Sequence, residues 1–81
     1  MDTTEKRARA IKLLQALIAA GADVPIANAR IVDIALRSES LEGDDLNSVV
    51  EYAGNQGWLD NSLRQGWTSV TQAGRAAAGS S

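Results

Sequence analysis

The sequence predicts a mainly α domain with a small β-hairpin, an α+β class, and three observations lead there. Three segments repeat apolar residues at three- and four-residue spacing, the pattern of helices with one buried face. From Trp58 onward the texture changes to short aromatic and β-branched runs around a polar, turn-rich stretch. A chain of 81 residues can build one core but not two. Residues 1–78 are expected to form a single domain, with 79–81 as a frayed tail.

The first helix is expected over residues 3–20. Asp2 or Thr3 can cap it, and Glu5 adds a negative charge where the helix dipole favours one. Ala10, Ile11, Leu14, Leu17 and Ile18 form the apolar stripe, broadened by Leu13. Gly21 follows where a left-handed residue commonly ends a helix.

Val24-Pro25-Ile26-Ala27 reads as extended, because proline disfavours a helical conformation in the residue before it. Asn28 then caps a second helix over 29–37 in the preferred reading; a start at Pro25 is the alternative. Ile31, Ile34 and Ala35 face inward, with Val32 or Leu36 at the edges. After a break at 38–43, Asp44 is expected to cap a third helix, with Leu46, Val49, Val50 and Ala53 inward and Gly57 ending it. Trp58-Leu59 and Trp67-Thr68-Ser69-Val70 should form the hairpin strands, with 60–66 as the polar connection. Both tryptophans are expected in the core. Thr71 could cap a last helical turn through Ala78.

Composition narrows the chemistry. Histidine and cysteine are both absent, so thiolate or imidazole metal sites, disulfides and Ser-His or Cys-His nucleophilic pairs are ruled out. Glu42, Asp44 and Asp45 lie close together but lack the ligand order of a calcium loop. No enzyme activity, cofactor or metal is expected. No apolar run approaches the roughly 20 residues needed to cross a bilayer. Residues 2–5 carry acids where a secretory leader carries bases, so the expected location is cytoplasmic, without membrane attachment. The starting Met and the Gly-Ser-Ser end favour a complete chain.

The order of helix, extended piece, helix, helix, hairpin and terminal helical turn resembles the winged helix-turn-helix superfamily. Val49 through Leu59 looks like the end of a recognition helix running through glycine into the first wing strand. Residues 66–75, Gly-Trp-Thr-Ser-Val-Thr-Gln-Ala-Gly-Arg, resemble the second wing strand and the family's frequent Leu-Thr-x-x-Gly-Arg/Lys ending, with Val70 in the Leu position. The resemblance implies a three-helix core plus a wing. It also implies a small transcriptional regulator reading double-stranded DNA with its third helix, paired as a homodimer through helix one. In that reading Asn47, Ser48, Tyr52 and Gln56 contact bases, while Arg30, Arg64 and Arg75 contact phosphates.

Charge pulls the other way. Eight basic residues stand against ten acidic ones, net −2, with no Lys or Arg between Arg37 and Arg64. That interval holds Glu39, Glu42, Asp44, Asp45, Glu51 and Asp60, although DNA-binding domains usually carry a basic footprint there. The basic cluster is instead Lys6, Arg7, Arg9 and Lys12, a solvated helix face or a contact for phosphate or an acidic partner. The alternative expectation is therefore an acidic winged-helix interaction module, an adaptor or inhibitor, whose 39–60 stretch meets a basic protein partner without binding DNA.

Overall fold

Asp2 opens helix α1 (Thr3–Ala19) as its side-chain oxygen accepts the Glu5 amide at 2.8 Å. This computed structural model describes residues 2–22, 24–64 and 66–79, with 61–64 described by backbone alone. At the far end of α1, Gly21 takes φ 72°, so the Ala22 amide reaches back to the Leu17 carbonyl at 2.8 Å. The Gly21 amide donates to Ile18 at 3.0 Å, completing a Schellman motif. Ala10, Leu13, Leu14 and Leu17 are buried.

Strand β1 (Ile26–Ala27) leads directly into helix α2 (Asn28–Glu39). Asn28 is not its cap. Ala27 holds that position without a side-chain bond, and Asn28 is the first helical residue. Its side-chain oxygen is used elsewhere, accepting from the Thr68 hydroxyl at 2.6 Å. Ile31 and Ala35 are buried and Ile34 half-buried, as the spacing predicts, and the helix runs two residues past the expected Arg37. It stops at Ser40, in the left-handed region at φ 54°. Leu41, buried, then separates it from the next helix.

Helix α3 (Gly43–Asn55) also begins earlier than expected: Glu42 occupies the cap position, and neither it nor Asp44 makes a side-chain capping bond there. Its end matches the expectation closely. Gly57 at φ 77° lets the Trp58 amide donate to the Ala53 carbonyl at 2.9 Å, a second Schellman motif. That geometry delivers Trp58, buried, into the core beside Ala53.

Strands β2 (Leu59–Arg64) and β3 (Trp67–Val70) pair antiparallel, and β1 adds to the other side of β3, giving the order β1-β3-β2. The polar stretch expected as a connection is therefore mostly strand, with its pairing irregular between Asp60 and Arg64. Thr68 and Val70 point inward, so Trp67 lies on the outer face. Trp67, expected in the core, is 37% exposed. Helix α4 (Gln72–Gly79) follows, with the Thr71 hydroxyl oxygen accepting the Gly74 amide at 3.0 Å as a cap. Gly79 closes that helix instead of starting a tail, and residues 80–81 lie outside the described residues.

The architecture is a mainly helical α+β domain in which α1 packs against α2, α3 and α4, while the small sheet closes the open side. No helix among the described residues is long and apolar enough to cross a membrane.

Candidate interaction surface on helices two and three

Helix α3 turns about 100° per residue, so its inward set of Leu46, Val49 and Ala53 fixes what lies opposite. The outward face is centred on the exposed Asp44, Glu51 and Asn55, spaced at seven and four residues, with the half-buried Ser48 at its margin. Glu51 sits in the middle of that face and is exposed. The described ion pairs, Arg9 with Glu5 at 3.3 Å and Arg37 with Asp33 at 3.2 Å, lie within α1 and α2. Neither involves a carboxylate of α3.

The residues expected to read bases do not form one surface. Asn47 is exposed on the edge of α3 that faces α2. Ser48 and Tyr52 follow one another on the opposite edge, both half-buried, and Gln56 ends the helix there as its exposed C-cap residue. Tyr52 is committed to packing: its ring meets Trp58 edge-on, centroids 5.8 Å apart at an interplanar angle of 69°. A half-buried ring in that geometry is core lining.

The expected phosphate contacts are dispersed. Arg30 is exposed, but it lies with Asp33, Ile34 and Arg37 beside Ala16, Ala19 and Ala20 of α1, on the edge of α2 away from α3. Arg75 borders a cavity between α1 and α4 with Gln15, Ile18 and Ala78. Arg64 ends β2 with its backbone opposite Trp67, and its side chain lies outside the described residues. The α1 cluster is divided as well. The Arg7 guanidinium stands over the Trp58 ring, 5.4 Å from its centroid, and Arg9 bonds to Glu5.

Sequence reading placed Val32 and Leu36 only at the edges of α2. In the fold they are exposed at 48% and 47%, one helical turn apart, and Val32 borders the space between α2 and α3. Between the two helices runs a groove of about 370 Å³ whose apolar wall is Ile31, Val32, Leu46 and Val50, and whose polar edge is Asn28, Asn47 and Glu51. The four-residue spacing of Val32 and Leu36 outside the inward set is legible in the sequence, whereas the groove itself needs α3 beside α2.

Compared with family models, with curated proteins and with solved structures, the chain gives no match.

Proposed function

We propose that this chain is a small winged-helix interaction module whose third-helix face docks a basic protein segment in preference to duplex DNA. The observation that carries this reading is the position of Glu51 at the centre of the outward face of α3, with Asp44 one side of it and no lysine or arginine between residues 37 and 64. A recognition helix entering the major groove brings its outward face within reach of both phosphate strands, where each carboxylate is repelled. The same face attracts a cationic partner and speeds its encounter, the more so at low ionic strength.

The second reading, a DNA-binding regulator, draws on the succession of elements and on the sheet order β1-β3-β2, which suit a wing beside a third helix. Arg30, Arg64 and Arg75 would supply its phosphate contacts. The two readings separate by anisotropy titration at low salt, using a labelled oligoarginine peptide and a labelled mixed-sequence duplex. Binding of the peptide, its loss with added salt, and its loss in the D44K/E51K variant are the expected results. Saturable binding of the duplex by the unaltered chain, weakened by substituting Arg30 or Arg75, would sink the interaction-module reading.

A further inference from the structure

We infer that the groove between α2 and α3 is the seat for a short amphipathic helix of another protein, with two apolar anchors one turn apart and lysine or arginine on its flanks. This rests on the proposed reading of an acidic α3 and deepens it by naming the seat and the class of partner. A single exposed leucine would say little, since apolar surface is common on any protein. Here Val32 and Leu36 lie on successive turns of one helix edge, and Val32 and Val50 border the same concavity. A groove lined by two neighbouring helices matches the way an amphipathic helix lays residues i and i+4 onto a partner.

The charge around it decides what the flanks must be. Glu51 borders the groove, and Glu42, Asp44 and Asp45 stand at the start of the same helix. The cations of α2 are directed elsewhere: Arg30 and Arg37 line the cavity on the α1 side, and Arg37 is bonded to Asp33. The occupant is therefore met by apolar groups, the amides of Asn28 and Asn47 and the Glu51 carboxylate, with the other acids of α3 further along the helix. That arrangement repels nucleic acid and favours a cationic peptide.

Helix α1 of a second copy does not fit. The basic helix of this protein is α1, and its apolar stripe of Ala10, Leu13, Leu14 and Leu17 is already buried in its own core. Of its cations, Arg7 stands over Trp58 and Arg9 bonds to Glu5. Presenting α1 to a neighbour's groove would require dismantling the fold.

The test uses the isotopically labelled full chain and two synthetic peptides of equal length, composition and charge, made of leucine and lysine. One places its leucines in i, i+4 pairs; the other scatters them off helical spacing. The paired peptide should bind at least about tenfold tighter, the equivalent of burying one further aliphatic side chain. Its amide shifts should centre on Val32, Leu36 and Val50. In the V32S/L36S variant, altered at two exposed positions and checked by circular dichroism, that advantage should disappear while binding falls to the level of the scattered peptide. The shift map on the unaltered chain stands as a separate readout should the variant unfold. Equal binding of both peptides, with shifts confined to the carboxylates of α3, would overturn the groove and leave the acidic-face reading standing. Absence of binding by either peptide at low salt would overturn both. Shifts centred on α1, or self-association that V32S/L36S abolishes, would assign the groove's role elsewhere and overturn it.

Discussion

A β-carbon placed on Gly74 would lie 2.3 Å from the carbonyl oxygen of Trp58, so α4 rests on the start of the hairpin with no room for a methyl group. The Thr71-x-x-Gly74 spacing has a local physical account. The Thr71 amide donates to that same Trp58 carbonyl at 3.0 Å, and the Thr71 side chain caps the helix through Gly74. Threonine fixes the helix start, and glycine lets it approach.

Gly74→Ala should therefore destabilise the fold. Overpacking against backbone typically costs about 1–3 kcal/mol, which outweighs the roughly 1 kcal/mol alanine gains in an open helix. Urea unfolding should show a lower midpoint with an unchanged slope.

Ser40→Gly should act in the opposite direction. Ser40 holds φ 54° at the end of α2, a conformation that costs a residue with a β-carbon roughly 1–2 kcal/mol relative to glycine. Part of that gain is offset by the greater freedom of glycine in the unfolded chain. A rise in thermal midpoint, with the far-ultraviolet spectrum unchanged, is the expected result.

Thr68→Val should lose about 1 kcal/mol, the ordinary net worth of one hydrogen bond, because the buried hydroxyl donates to Asn28 at 2.6 Å. Asn28→Ala should cost a similar amount. Combined, the two losses should fall short of their sum, since both remove the same bond; a double-mutant cycle in urea reads the difference.

The two tryptophans should report opposite surroundings. Trp58 is 7% exposed and Trp67 37% exposed. The W67F variant, left with Trp58, should emit at shorter wavelength and resist acrylamide quenching. The W58F variant should emit further to the red and quench readily. Matching spectra for the two would mean that both rings share one environment.

The parts of this fold legible in the sequence are those fixed by neighbours along the chain. Asp2 and Gly21 bound α1 because capping is a matter of three or four residues, and Gly57 ends α3 for the same reason. Asn28 was misleading because its side chain is claimed from 40 residues away, by Thr68. That bond also explains Trp67. A strand alternates its faces, so either Thr68 or Trp67 points inward, and hydrophobicity alone favours the tryptophan. Asn28 satisfies the hydroxyl, Thr68 takes the interior, and the ring is turned out. The packing of Tyr52 is legible only in the fold, once Trp58 is brought against its ring. At the candidate surface, the acidic content of α3 was legible, whereas the apolar groove needed the placement of α2 beside it.

Leu41 stands alone between the left-handed Ser40 and the first turn of α3, and it is 1% exposed. A connection of three residues pinned at its middle leaves no slack, so the spacing of the two helices is settled when the protein folds rather than when a guest arrives. A visitor would meet a preformed receptor and spend little on reshaping it, and related visitors would differ chiefly in how long they stay.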